Sequence, residues 1–519
     1  MLIKTTLKMV LFSSFLVLGV LQLANTVAAS PGFLRLDTVR KQDANAPSAY
    51  DRLVKRVDSH EGTLTNQHNY AYLVNLTVGD PPQAFQASLD TGSSDLWVID
   101  KGNPLCATTD EEYLMALQFI EYTACNQSGT FDPDASTTLN MTDEEFFAQY
   151  ADTRAVEGKW AYDDVSVAGA TISQMRLGIG EVTNCTMVVG IGLSSNEFDA
   201  SLYNEEPYPN LPARLAQDGI INTNAYSLWL NDLDENRGSI LFGGVDHAKY
   251  EGTLQTLPMV DSPYYYPNTT MSVMMSGLTA SPKEYGSDPV QLFSGNIAVI
   301  LDSGSSMSYL PYEVVDEVGF ALDAEYDFYS GMWYAECNYE GYFEFEFNGF
   351  SIKVPFSDLL TPAPSIYGGI STFSDGTPMC SIGMVESFYY DGPFILGDTF
   401  LRNAYVVYDL DRKEISMAQA KFNVSESNIE TIDSNGVPSA TKAPGYDQTV
   451  TATSLSMETI GVSVEFTTTG QVSTIEQTEA PLETDFGYES YTFTTFPSFD
   501  AILLLRPRLP LVPLTLQGT

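Results

Sequence analysis

Histidine, cysteine and positive charge are all scarce in this 519-residue chain, and these shortages narrow the classes of function open to it. Its 24 lysines and arginines stand against 67 aspartates and glutamates, so the formal net charge at pH 7 is -43. Because so acidic a protein repels phosphates, nucleic acid is not an expected partner. The composition instead suits surroundings in which carboxylates are partly protonated.

His60, His68 and His247 are the only histidines, and a Ser-His-Asp or Cys-His site would have to use one of them. The first two lie near the expected start of the mature chain, and the third lies in the turn-like segment FGGVDHAKY. The sequence contains no HExxH or CxxC motif, so we predict no metal site and no cofactor. Carboxylates are therefore the expected working groups.

One motif occurs twice, once in each half of the chain. DTGSSDLWV begins at Asp90, directly after a strand-like run in which Phe85, Ala87 and Leu89 share one side. The glycine lets the backbone turn sharply, so the carboxylate is presented at the tip of a strand. NIAVILDSGSS places Asp302 after a similar apolar run. One copy is equally compatible with a polar turn, whereas two copies indicate duplication and two pseudo-symmetric lobes.

The segments DTGSSDLWV, VILDSGSS and FILGDTFLRNAYVVYDL resemble the motifs of pepsin-type (A1) aspartic proteases. The second motif is similar to that of the secreted fungal branch, the candidapepsins and yapsins, and the resemblance spans roughly residues 69–422. It implies a mainly β, bilobal pepsin-like fold with an active-site cleft between the lobes, which we place at residues 57–248 and 249–422. It also implies an acid endopeptidase.

Peptide hydrolysis without a metal needs one group to deprotonate water and another to protonate the carbonyl oxygen and the leaving amine. Two carboxylates that share one proton can do both. Because like charges about 3 Å apart cannot both ionise easily, such a pair has one low and one raised apparent pKa. We predict that Asp90 and Asp302 form this catalytic pair across the lobe interface, with a water molecule between them.

The resemblance assigns supporting roles to the neighbours of both aspartates. Two hydroxyl residues would lock the loops to the opposite lobe, two serines would hydrogen-bond the outer carboxylate oxygens, and two glycines would form the turns. The locking residues are Thr91 and Ser303, the two serines are Ser93 and Ser305, and the two glycines are Gly92 and Gly304.

Residues 146–169 resemble the flap of these proteases, a hairpin that folds over bound substrate and excludes water. Tyr150 matches the flap tyrosine, and its hydroxyl would pair with the indole N–H of Trp97. Asp152 matches a flap aspartate of fungal enzymes that accept lysine in their main specificity pocket. A solvated hairpin tip is the alternative interpretation of that residue.

The five cysteines suit an exported protein with two disulfides. Cys106 and Cys125 bracket an acidic loop and are expected to pair, as in related fungal enzymes. Cys337 and Cys380 would form the second bridge, as in the C-terminal lobe of the family. Cys185 lies in an apolar stretch, and we expect it to be a buried thiol.

The sequence predicts processing segments at the N-terminal end of the chain and an attachment segment at the C-terminal end. Residues 1–29 have the charged start, apolar middle and small-residue cleavage site of a secretory signal, and a membrane helix is the weaker alternative. Residues 30–56 form a basic propeptide that Coulomb attraction would hold to the acidic body. The propeptide ends in Lys55 and Arg56, which look like the cleavage site of a Kex2-like processing protease.

Residues 423–519 are predicted to be a disordered tail, because residues 451–500 contain 18 serines and threonines and resemble a glycosylated stalk. The apolar C-terminal end would complete a GPI-anchor signal for cell-wall attachment, although Arg506, Arg508 and several prolines interrupt it. We expect a secreted monomer. The alternative functions are a catalytically inactive pepsin-fold binding protein and a cell-wall structural protein; the second leaves the paired motifs unexplained.

Overall fold

The computed structural model describes fourteen stretches of the chain. Cys125, Asp152, Lys55, Arg56 and the tail beyond residue 448 lie outside them, as does the predicted signal. The described residues are 34–37, 61–62, 64–66, 71–107, 129–151, 154–183, 185–203, 205–233, 238–262, 269–283, 288–328, 330–365, 369–387 and 392–448.

Strands dominate both halves of the described chain. Those of the first half are β1 (Leu34–Asp37), β2 (Glu61–Gly62), β3 (Leu64–Asn66), β4 (Tyr72–Val78), β5 (Gln83–Asp90), β6 (Leu96–Ile99), β7 (Asn140–Gln149), β8 (Ala155–Val167), β9 (Ala170–Thr183), β10 (Val188–Gly190), β11 (Ala225–Trp229), β12 (Ser239–Phe242) and β13 (Gly244–Asp246).

The second half continues the numbering. Its strands are β14 (Tyr250–Pro258), β15 (Ser272–Pro282), β16 (Val290–Leu301), β17 (Ser308–Leu310), β18 (Glu325–Asp327), β19 (Met332–Glu336), β20 (Gly341–Phe347), β21 (Phe350–Pro355), β22 (Leu360–Pro362), β23 (Met379–Ile382), β24 (Met384–Glu386), β25 (Phe394–Leu396), β26 (Ala404–Asp409), β27 (Glu414–Ala420), β28 (Ile429–Thr431) and β29 (Thr441–Lys442).

Among the residues that the structure describes, the α-helices are few and short. They are α1 (Pro104–Ala107), α2 (Phe198–Tyr203), α3 (Leu211–Gln217), α4 (Tyr312–Ala321) and α5 (Asp398–Leu401).

The predicted bilobal β fold is confirmed. One lobe is built on an eight-stranded sheet of order β3-β4-β5-β10-β6-β9-β8-β7, and the other on a seven-stranded sheet of order β21-β20-β15-β16-β25-β17-β24. A further eight-stranded sheet, β2-β1-β12-β11-β26-β27-β14-β29, takes strands from both halves and joins the lobes. We call it the shared sheet.

Each aspartate motif follows a strand that is buried between two neighbours. β5 pairs antiparallel with β4 and parallel with β10, and β16 pairs antiparallel with β15 and parallel with β25. Phe85, Ala87 and Leu89 are buried, as their alternation predicts. The strand ends are therefore fixed by hydrogen bonds on both sides, which makes them rigid supports for the side chains that follow.

The hairpin predicted for residues 146–169 is present. β7 and β8 form an antiparallel hairpin in which Gln149 pairs with Ala155. Helix α4 buries Val314 and Val318 against the core. Helix α3 ends at Gln217, and Gly219 just beyond it adopts a positive φ of 72°.

The tail prediction is wrong at its beginning. Residues 423–448 are ordered, and they contribute β28 and β29 to the sheets instead of forming the start of a disordered segment. The serine and threonine density that motivates the disorder prediction begins only near residue 451. Residues 423–448 instead contain apolar side chains such as Ile432, which is fully buried.

Within the described stretches, no helix is both long enough and apolar enough to cross a membrane.

Candidate active site

Asp90 and Asp302 meet between the two halves. Asp90 ends β5 and Asp302 follows β16, and their exposed fractions are only 7% and 8%. The adjoining glycines allow the close approach, because a Cβ atom on Gly92 would lie 2.6 Å from Cγ of Asp302, and one on Gly304 would lie 2.4 Å from Oδ1 of Asp90. The same Cβ atom on Gly304 would lie 3.1 Å from Oδ1 of Asp302, so the two carboxyl groups are close neighbours.

Reciprocal hydrogen bonds lock the two loops together. Oγ1 of Thr91 donates to the carbonyl of Leu301 (2.8 Å) and accepts from the backbone N–H of Ser303 (2.9 Å). Oγ of Ser303 donates to the carbonyl of Leu89 (2.8 Å) and accepts from the N–H of Thr91 (3.2 Å). All four bonds are buried and all cross between the halves, so the positions of the two aspartates are mutually fixed.

The predicted serines contact the aspartates. Asp90 accepts from the N–H of Gly92 (2.7 Å), the N–H of Ser93 (3.2 Å) and the hydroxyl of Ser93 (2.5 Å). Asp302 accepts from the N–H of Gly304 (2.7 Å) and the hydroxyl of Ser305 (2.8 Å). Donors aimed at a carboxylate stabilise its ionised form.

Burial raises the pKa of Asp302 well above that of an ordinary aspartate, and the charge of Asp90 raises it further. The bonds from Ser305 and Gly304 act in the opposite direction but do not cancel these effects. A low-dielectric site that brings two acids into contact keeps a proton on one of them.

The β7–β8 hairpin, which is the predicted flap, contacts the base of the same region. Nε1 of Trp97 donates to the hydroxyl of Tyr150 at 2.7 Å, which confirms the predicted pairing. Trp97 is fully buried and follows the Asp90 loop on β6, so the hydrogen bond connects the flap to the base of the site. Asp152, predicted beside Tyr150, lies outside the described residues.

Several residues that the sequence did not single out support the Asp90 loop. The segment 192–197 contacts it through Asn196, whose Nδ2 donates to the carbonyl of Gly92 (2.9 Å). Ser94 donates through Oγ to the carbonyl of Leu193 (2.7 Å). The side chain of Asp95 accepts a hydrogen bond from the N–H of Phe198 (2.9 Å). These contacts join residues about 100 positions apart, which only the fold brings together. No local sequence pattern could therefore identify them.

Buried acids cluster beneath this segment. Tyr208 donates through its hydroxyl to Asp95 (2.8 Å) and through its N–H to Glu197 (2.7 Å). Burial raises the pKa of Asp95 to about 6 and that of Glu197 to about 9. Arg176 lies near them, bonded to Asp199 at 3.2 Å. These carboxyl groups are therefore held toward their neutral forms.

The second half also has a buried acid beside its loop. The N–H of Asp398 donates to the carbonyl of Ser305 (2.8 Å), and the side chain is fully buried. Burial raises its pKa well above the ordinary value, the nearby Arg402 opposes the rise, and the charge of Asp302 adds to it.

The remaining predicted residues have mixed outcomes. Cys337 and Cys380 form the expected disulfide, with Cα atoms 5.0 Å apart. Cys106 is disulfide-bonded, while its expected partner Cys125 lies outside the described residues, as do Lys55 and Arg56. Cys185 is buried, and its thiol donates to the carbonyl of Ala155 at 3.4 Å. The described residues contain no group of three or more acidic, histidine or cysteine side chains that could hold a metal ion.

Comparison with known proteins identifies the family to which this chain belongs. Residues 71–420 match the family model described as eukaryotic aspartyl protease, and the chain belongs to that family. It is an aspartic endopeptidase, in agreement with the names of its relatives.

Three relatives illustrate the similarity. The probable aspartic-type endopeptidase opsB of Aspergillus fumigatus is 37% identical over 420 residues, which cover 79% of this chain and 81% of the relative. The aspartic proteinase MKC7 of Saccharomyces cerevisiae is 34% identical over 479 residues, covering 80% and 78%. The aspartic proteinase yapsin-3 of the same yeast is 35% identical over 415 residues, covering 76% and 75%.

Proposed function

We propose that Asp90 and Asp302 are the catalytic pair of this endopeptidase and that they activate one water molecule between them. The observation that carries the proposal is the cross-half lock of Thr91 and Ser303, which holds two nearly buried carboxyl groups in contact. A rigid pair of this kind is preorganised for proton transfer to and from a bound peptide.

The two aspartates have different starting states. Asp90 accepts three hydrogen bonds and Asp302 accepts two, so more donors face the carboxyl group of Asp90. The raised pKa of Asp302 favours its protonated form. Asp90 is then the general base, and Asp302 is the general acid.

The reaction proceeds in two balanced steps. Asp90 removes a proton from water while the water oxygen bonds to the scissile carbonyl carbon, and Asp302 gives its proton to the carbonyl oxygen. The resulting diol then loses its amine: Asp90 gives its proton to the nitrogen, the C–N bond breaks, and Asp302 takes back a proton from one hydroxyl. Both aspartates return to their starting states, and no covalent intermediate forms.

Substitution of either aspartate tests the assignment. Asp90→Asn and Asp302→Asn should each reduce kcat/KM for a peptide substrate by about 10⁴-fold while thermal stability at acidic pH is retained. Asp134→Asn, in a residue that is 89% exposed, is the matched control and should keep full activity. Full pepstatin-sensitive activity in either catalytic variant would contradict the proposal.

We further propose that the enzyme works at acidic pH outside the cell. The acid requirement follows from the need for one protonated and one ionised carboxyl group, and it suits a chain of net charge -43. Secretion is supported by the signal-like residues 1–29.

Activation would follow cleavage after Arg56 by a Kex2-like processing protease, since the basic propeptide is attracted to the acidic body. A Lys55→Ala, Arg56→Ala double variant should accumulate as a precursor without activity at neutral pH, which immunoblotting and a peptide assay would detect. An uncleaved precursor with full activity at that pH would argue against this route.

Basic residues beside the scissile bond are the proposed substrate preference. The support is the flap match of Asp152 and the excess of acidic residues in the chain. A peptide-library cleavage profile should show lysine or arginine enriched next to the cleaved bond, and Asp152→Asn should reduce that enrichment about tenfold. A wild-type profile without basic residues at either flanking position would remove the preference but leave the catalytic assignment intact.

A further inference from the structure

We propose that residues 423–448 form a strap that binds both halves of the protease and is needed for the stability of the catalytic fold. The family match ends at residue 420, so this segment lies beyond the part of the chain that the family accounts for. Its described contacts run from the last strands of the first half to a hairpin of the second.

The strap first joins the end of the first half. Its strand β28 pairs antiparallel with β13, with Val245 opposite Glu430. Asp246 receives hydrogen bonds from the hydroxyl of Ser427 (2.8 Å) and the N–H of Asn428 (2.7 Å). The combination of backbone pairing and side-chain bonds fixes one register for this end of the strap.

Apolar burial accompanies these bonds. Side chains alternate across the shared sheet, so one face contributes to the large core of the lobes and the other forms a separate cluster that includes Trp229, Tyr405 and Val407. Ile432 of the strap is 0% exposed within that cluster, and Val437 packs against it. Without the strap, this outer apolar face would be open to water.

Two basic residues between β13 and β14 also contact the strap. Lys249 is 1% exposed, lies 4.2 Å from the ring centroid of Trp229, and donates through Nζ to the carbonyl of Val424. Nε2 of His247 lies 3.0 Å from a carboxylate oxygen of Glu430. The carbonyl of Val424 is an acceptor for an ammonium group that is almost completely buried, where hydrogen bonding offsets the cost of burying a charge.

The other end of the strap reaches the second half. β29 adds to the edge of β14 in parallel, and the N–H of Ala443 donates to the carbonyl of Thr256 (2.9 Å). The N–H of Gly445 donates to the carbonyl of Asn348 (2.9 Å), in the turn between β20 and β21. The strap therefore contacts β13 of the first half, and β14 and the β20–β21 turn of the second half.

A pair of isoleucine substitutions in the full chain tests the proposal. Ile432→Ala shortens a fully buried side chain of the strap. Ile370→Ala removes the same atoms from a residue that is 51% exposed. We expect Ile432→Ala to lower the thermal unfolding midpoint at acidic pH by several degrees, and Ile370→Ala to change it by about 1 °C or less. Equal thermal unfolding midpoints for the two variants would contradict the proposal that the strap stabilises the fold.

Truncations separate the two ends. A chain ending at Gln448 should keep the full-length midpoint, one ending at Ser439, which lacks β29, should unfold at a lower temperature, and one ending at Phe422 should be the least stable. If the chain ending at Phe422 matched the full-length midpoint, the strap would be dispensable and the proposal wrong. Because unfolding is measured without substrate, the result is independent of which residues catalyse.

Discussion

The loops of Asp90 and Asp302 carry nearly the same residues but stand in different surroundings. β10 places Gly190 beside Asp90, and β25 places Leu396 beside Leu301, so Gly397 corresponds to Gly190 and Asp398 to Ile191. The first half thus has an aliphatic side chain where the second has a buried acid. Duplication supplies two similar carboxylates in unlike neighbourhoods, and unlike neighbourhoods are what allow paired acids to take different roles.

The lock between the halves is, by contrast, symmetrical, and substitutions can test that symmetry. Thr91→Ala and Ser303→Ala each remove two buried hydrogen bonds across the interface. Each should lower the free energy of unfolding by about 3 kcal/mol, because buried partners lose their bonds. Each should also reduce kcat/KM, since the positions of both aspartates depend on the lock.

Denaturant unfolding of both variants would measure these losses. Ser166→Ala is a suitable control, as it removes an exposed hydroxyl pair with Thr171 (2.7 Å) and should cost less than about 0.5 kcal/mol. A large loss in one lock variant and none in the other would show that the two hydroxyls do not have equivalent roles.

The buried acids beneath the Asp90 loop should make the stability of the first half depend on pH. The folded-state pKa of Glu197, about 9, lies above its unfolded value, so the folded protein binds the extra proton. Its contribution to stability is present below about pH 4.5 and is lost as pH rises toward 9. Glu197→Gln, which keeps a neutral acceptor for the N–H of Tyr208, should raise the thermal midpoint at pH 7.5 by a few degrees.

The same substitution should leave the midpoint at pH 4 nearly unchanged, because the wild-type side chain is already neutral there. Glu206→Gln, in an exposed neighbour, is the control for the removal of one negative charge. Equal gains at both pH values, or an equal gain in the control, would mean that ionisation of Glu197 does not destabilise the first half.

The parts that the sequence predicted best are local. The Asp90 loop is a strand, a sharp turn and a set of short-range hydrogen bonds, all of which lie within one motif, and resemblance supplied the Trp97–Tyr150 bond. Asn196 has no local signature and reaches its loop only through the fold. Asp398 lies in the segment FILGDTFLRNAYVVYDL, but that pattern does not show that its backbone would bond to the carbonyl of Ser305.

The ordered strap was missed for a different reason. Serine and threonine are dense only in residues 451–500, and composition alone does not resolve where the disordered region begins between residues 423 and 451. Whether residues 423–448 fold depends on an available surface, here the outer face of the shared sheet with Trp229 and Tyr405. A single sequence shows the apolar side chains but not the surface that buries them.

The central claim is that two carboxyl groups, one from each half, act as a single unit. The most direct test is to compare kcat/KM of Asp90→Asn, Asp302→Asn and the double variant on one peptide at acidic pH. If the pair acts jointly, the double variant should be no less active than either single variant, because the first substitution already removes the shared mechanism. Losses that add up across the two substitutions, or substantial activity in either single variant, would contradict the account.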